Sequence, residues 1–199
     1  MVRNVRLILW ALVACALGAF ALLALRAGNA GPETDKSGAS LTLGGPFTLV
    51  GADGRPFSSV RLNGRPHAIF FGFTHCPDVC PTTLARLVRL RNQMGRGKEA
   101  FDILFVSVDP ERDGPAEVGA YANLFGSPVI GLTGSPAQVE QVKKQFGIFS
   151  QKVPDGDGDY TVDHTATVLL FDRSGKFDST IAHDEQDAPA LAKLRRISA

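Results

Sequence analysis

The chain has 199 residues, 44% hydrophobic and 21% charged, with 21 basic side chains against 20 acidic ones. That composition excludes a disordered or fibrous chain. The charges nearly cancel, and no basic cluster is interleaved with aromatics, which excludes a nucleic-acid-binding surface.

Arg3 and Arg6 precede an apolar run, Leu7 to Leu25, that carries no charge. As a helix rising about 1.5 Å per residue it is about 28 Å long, enough to cross a hydrocarbon core of about 30 Å. The positive-inside rule keeps the amino terminus cytoplasmic and sends the rest of the chain across the membrane. In a bacterial cell that means a single-pass inner-membrane protein with a periplasmic domain. The expected organisation is a cytoplasmic n-region over 1–6, a transmembrane anchor over 7–25, a flexible tether over 26–45 and a globular domain over 46–199. The tether is rich in Gly, Ala, Ser and Thr. Two rival readings of the leader exist. Gly28-Asn29-Ala30 offers small residues for signal-peptide cleavage, although the apolar run is longer than a typical h-region. Leu12-Val13-Ala14-Cys15 looks like a lipoprotein cleavage site, but the residues after Cys15 are again apolar. All three readings place the domain outside the cytoplasm with two cysteines. The domain is long enough to bury a core without disulfide staples.

In chain order, Phe47–Val50 and the stretch from Phe57 flank Gly51-Ala52-Asp53-Gly54, a hairpin signal. Ala68–Phe73 is an almost wholly apolar run, as in a buried central strand. Pro81 to Met94 has apolar residues every three to four positions and predicts a helix. Phe101–Val108 reads as a second buried strand, Pro115 opens a helix to about Phe125, and Val129–Leu132 is a strand. Pro136 opens a helix to about Phe146. Asp155–Asp159 marks a hairpin tip, Ala166–Phe171 a third strong strand, Asp172–Gly175 a turn into Lys176–Ile181, and Ala190–Ile197 a closing helix. Buried strands joined through a helix imply a parallel crossover, and the last two strands an antiparallel hairpin. The expected class is α/β, a mixed sheet flanked by helices, thioredoxin-like, with an N-terminal β-hairpin.

Cys76 and Cys80 lie where the first buried strand gives way to a helix. Four residues apart in one helical turn, both sulfurs can point at one spot. A helix N-terminus favours thiolate over thiol, which soft-metal binding and disulfide exchange both need. A purely structural disulfide here would close too short a loop to constrain the unfolded chain much. A third group decides between metal and redox chemistry. His67 reads as a strand-edge residue, His183 as part of a solvated charge cluster, and His75 as too close to Cys76 to share a metal with it. His164 precedes the third strong strand, where thioredoxin-like oxidoreductases, which this stretch resembles, place a proline facing their cysteines. Two thiolates and an imidazole suit Cu(I), with Cu(II) the second state to consider, and an open three-ligand site suits a metal that is passed on.

Phe71-Gly72-Phe73-Thr74-His75-Cys76-Pro77-Asp78-Val79-Cys80-Pro81-Thr82-Thr83-Leu84 closely resembles the Sco/SenC family of cytochrome c oxidase assembly proteins. Gly45-Pro46-Phe47, Val108-Asp109-Pro110-Glu111-Arg112-Asp113 and Asp163-His164 resemble it as well. The resemblance implies a copper chaperone that helps load the dinuclear copper centre of oxidase subunit II. It places copper on Cys76, Cys80 and His164, redox activity on the two cysteines, and a tuning role on Asp78 and on Asp163. Implied partners are oxidase subunit II and another copper chaperone or a thioredoxin-like reductant. This reading makes the protein a binding and delivery protein rather than an enzyme. The alternative is a membrane-anchored thiol–disulfide oxidoreductase acting on oxidase cysteines or in redox sensing. A peroxidase would need Thr74 and an arginine beside the reactive cysteine.

Two acidic motifs point elsewhere. Asp155, Asp157 and Asp159 are spaced like the start of a calcium loop, but Tyr160 and Ala166 stand where glycine and glutamate belong. Asp109-Pro110-Glu111-Arg112-Asp113 reads as a charged turn at a strand end, with a partner-facing role open to it.

Overall fold

The computed structural model describes residues 17–18, 43–156 and 158–199. The chain divides into Met1–Leu41 and Thr42–Ala199. In the first unit only Leu17 and Gly18 are described, both helical. The expected anchor over 7–25 apart from Leu17 and Gly18, the n-region, Cys15 and most of the tether thus lie outside the described residues. Among the described residues no helix is long and apolar enough to cross a membrane.

The second unit runs β1 (Thr48–Gly51), β2 (Pro56–Ser58), a short 3-10 turn, β3 (His67–Gly72), α1 (Val79–Gln93), β4 (Asp102–Ser107), α2 (Pro115–Asn123), β5 (Ile130–Thr133) and α3 (Pro136–Gln145). It continues through β6 (Ser150–Pro154), β7 (Tyr160–His164), β8 (Val168–Phe171), β9 (Phe177–Ile181) and α4 (Asp187–Ile197). Seven strands form one sheet in the order β2-β1-β5-β4-β3-β8-β9, and β6 with β7 forms a separate two-stranded ribbon. β3, β4 and β5 are parallel, while β1–β2, β1–β5, β3–β8 and β8–β9 are antiparallel. This is the mixed sheet with flanking helices that the sequence leads one to expect.

The strands buried on both faces are those that read as continuous apolar runs: every residue of β3 and of β8 is buried. Neighbouring side chains on β3 serve opposite faces. Phe70 is in register with Phe105, whose ring meets Tyr121 of α2 at 4.9 Å, while Phe71 meets Phe146 at the end of α3 at 5.7 Å. Helices therefore cover both faces. α3 starts where its sequence says, with Pro136 in the first turn and a reciprocal capping box between Ser135 and Gln138.

The sequence reading marks only the tip of the β6–β7 ribbon; the strands on either side of it are not predicted. Their reason is cross-strand register: Ser150 faces His164, Lys152 faces Val162, and Pro154 faces Tyr160. Only Val162 in them is buried, so no apolar run announces them. β3 ends at Gly72, α1 begins at Val79, and β8 begins only at Val168, which leaves Cys76 in the loop before α1 and His164 at the end of β7.

Candidate metal centre

β3 delivers the chain to the cysteine loop, and Cys76 N–H donates to the Phe73 carbonyl at 3.3 Å as it turns. Helix α1 then begins without its usual cap, because the Asp78 side chain makes no capping hydrogen bond. The sulfur of Cys76 takes that role, accepting the Cys80 N–H at 3.4 Å. An unpaired N–H at a helix start thus faces a sulfur, which favours its anionic form.

His164 closes the site from the other side. Its Nδ1 lies 3.2 Å from the Thr165 carbonyl, which can only accept, so Nδ1 carries the proton. Nε2 lies 3.6 Å from the Cys80 sulfur. The ring stands edge-on to Phe70 at 6.1 Å and to Phe73 at 5.8 Å. One ligand atom each from Cys76, Cys80 and His164 lies within 4.8 Å of the others. Neither Cys76 nor Cys80 is tied in a disulfide.

The two sulfurs are unequal. Cys80 is wholly buried, while Cys76 is partly exposed. Cys76 is pushed down to about 3, chiefly because the Cys80 thiol shares its proton with it, helped by His164 and by the Cys80 N–H and opposed by burial. Cys80 is pushed up, by the same shared proton and by burial. One proton therefore sits between a thiolate at Cys76 and a thiol at Cys80. Gly72 makes room for this: a Cβ there would lie 2.7 Å from the Cys80 sulfur and 3.0 Å from the Phe105 ring.

The remaining candidates fall outside the trio. Asp78 and Asp163 are both exposed, and strand alternation turns Asp163 to the ribbon face opposite His164. His67 is buried at the start of β3, stacked on Phe171 at 5.0 Å, and His183 is exposed. His75 is exposed, with Nδ1 3.1 Å from the Thr74 hydroxyl.

Sequence reasoning missed the carboxylates behind the site. Asp109 and Asp113 are 1% and 0% exposed, not the charged surface turn expected. Asp113 accepts from Thr74 N–H at 2.9 Å, Thr74 Oγ1 at 2.6 Å and Ser107 Oγ at 2.6 Å. Asp109 accepts from Arg112 Nε at 2.6 Å and from the Tyr160 hydroxyl at 2.9 Å. An Asp-Pro step at a strand end signals a turn, and nothing in it says that both acids point inward.

Residues 35–199 match the SCO1/SenC family. The mitochondrial protein SCO2 of Saccharomyces cerevisiae is 35% identical over 167 residues, covering 82% of this chain and 55% of the yeast protein. The chain thus spans about half the length of that relative. The structure of Bradyrhizobium japonicum ScoI with copper bound matches with a TM-score of 0.70 at 42% identity, covering 78% of this chain and 99% of the other. BsSco, described as a member of the Sco family of cytochrome c oxidase assembly proteins with a disulfide switch, matches with a TM-score of 0.61 at 25% identity, over 78% and 92% of the two chains. With its paired cysteines and facing histidine set on the same fold, the chain belongs to the SCO1/SenC family.

Proposed function

We propose that this protein binds copper through Cys76, Cys80 and His164 and hands it on during assembly of the dinuclear copper centre of cytochrome c oxidase subunit II. The observation that carries this reading is the convergence of two sulfurs and one imidazole nitrogen within 4.8 Å. That donor set fits Cu(I), which accepts soft ligands at low coordination number. His164 turns Nε2 toward the sulfurs, and Cys76 is held toward thiolate, the form in which a metal binds it. The copper bound to the Bradyrhizobium relative supports the metal, and the description of BsSco supports the oxidase. The apolar run from Leu7 to Leu25 supports a single-pass anchor that holds the domain on the periplasmic face of the inner membrane, close to a membrane oxidase.

Metal analysis of the reduced protein tests the copper reading. The expected result is one copper per chain, with His164→Ala weakening Cu(I) binding by more than about 100-fold, the upper end for loss of an outer partner. Copper near zero in the reduced parent protein would sink it.

A second reading rests on the unequal sulfurs. The Cys76 thiolate can attack a substrate disulfide, forming a mixed disulfide and expelling one thiolate. The Cys80 sulfur, on losing its proton, then attacks Cys76, releasing the second thiolate and leaving Cys76–Cys80 oxidised. His164 takes no part in either bond exchange and adds only a secondary push to the Cys76 thiolate. His164→Ala therefore separates the readings: copper affinity falls while cysteine redox cycling persists.

A further inference from the structure

The site is assembled from two separate pieces, the cysteine loop after β3 and the β6–β7 ribbon that carries His164. One turn touches both. Through Asp113 it holds the cysteine loop by the Thr74 N–H and hydroxyl, two residues before Cys76. Through Asp109 and Arg112 it holds the ribbon. Arg112 donates to the Tyr160 carbonyl at 2.8 Å and to Asp159 at 3.0 Å, and its guanidinium lies 3.8 Å from the centre of the Tyr160 ring. Lys152 of β6 sits against the same ring at 4.5 Å and pairs with Glu111 of the turn at 2.6 Å. Ser107 joins the two acids, donating to Asp113 and accepting the Asp109 N–H at 3.0 Å.

We propose that Asp109, Arg112 and Asp113 are positioning residues, a bracket that fixes the distance between the cysteine pair and His164. This rests on the copper-site reading above. Two features set the turn apart from an ordinary stabilising ion pair. Both carboxylates are fully desolvated, which is costly unless every acceptor is used, and beyond Ser107 and Arg112 one of them reaches only the cysteine loop and the other only the ribbon. Tyr160 opens β7 and His164 ends it, so a grip on Tyr160 passes along a short paired strand to the imidazole. At the far end Thr165 N–H donates to the Phe149 carbonyl at 3.0 Å, which completes the clamp.

The test is a double-mutant cycle on the full chain. Arg112→Met is expected to weaken Cu(I) binding about 10- to 100-fold, as outer partners of metal ligands do. In the His164→Ala background the same substitution should change affinity less than about threefold, because nothing is left to position. In the metal-free protein, amides of β7 should exchange about tenfold faster in Arg112→Met while those of α4 do not change. If Arg112→Met fails to fold, Tyr160→Phe keeps the ring and removes only the hydroxyl bond to Asp109, and it should show the same dependence on His164 with a smaller loss. An equal affinity loss in both backgrounds, or unaltered exchange of β7, overturns the bracket. Lack of copper binding by the parent protein overturns the copper reading alone, and the amide exchange still decides the bracket.

Discussion

At the scale of single residues, the proton shared between Cys76 and Cys80 sets the chemistry. Cys76 is the more accessible sulfur and the one held as thiolate, down at about 3. Alkylation with iodoacetamide at pH 6 should therefore label Cys76 rapidly and Cys80 hardly at all. An ordinary thiol with a pKa of about 8.5 is only about 0.3% ionised at that pH. Labelling of both cysteines at equal, slow rates would contradict the assignment. The sign for stability follows from the depressed value. Cys76 stabilises the reduced fold fully above the ordinary thiol range, and this contribution is lost as pH falls toward about 3. Cys80, raised instead, works in the opposite sense at alkaline pH. The cysteines were legible from residue type and spacing, and His164 only through its resemblance to the place where thioredoxin-like and Sco/SenC proteins face their cysteines. Gly72 was not, since a glycine in an apolar strand looks like an interruption until the buried sulfur beside it is seen.

At the scale of elements, the helix start and the acidic turn act together. Asp113 accepts three hydrogen bonds while buried, with the His75 ring 3.7 Å away. Asp113→Asn replaces one accepting oxygen by a donor and leaves at least one of these partners unmet. The expected cost is about 1–3 kcal/mol, measured by urea denaturation of the reduced protein. A variant as stable as its parent would show that the cysteine loop does not depend on this carboxylate. Strands β3, β4 and β8 were legible because burial on both faces demands unbroken apolar runs. β6 and β7 were not, because one ribbon face is solvated and polar and the other is held by Arg112 and Lys152 through Tyr160, contacts that leave no hydrophobic period.

At the scale of the molecule, the hydrophobic core runs from Phe47 to Ile197. The Thr42–Ala199 unit thus contains its own core, and a fragment from residue 43 should unfold cooperatively with a midpoint within a few degrees of the full chain. A fragment that melts far lower would show that the leading residues contribute to the fold. The chain order of apolar runs and helix starts was enough to read the sheet's class. Strand order was not legible, because the pairing of β1 with β5 and of β8 with β3 joins segments far apart in sequence through contacts no local pattern encodes.

The wholly buried Cys80 beneath a partly exposed Cys76 gives traffic through this site a direction. Under the proposed copper handover, an arriving ion would meet Cys76 first and gain Cys80 only on descending into the protein. On departure the order would reverse, with the outer donors exchanged while Cys80 still held. The innermost sulfur would then govern how long the cargo stays, and the outer one how fast it boards.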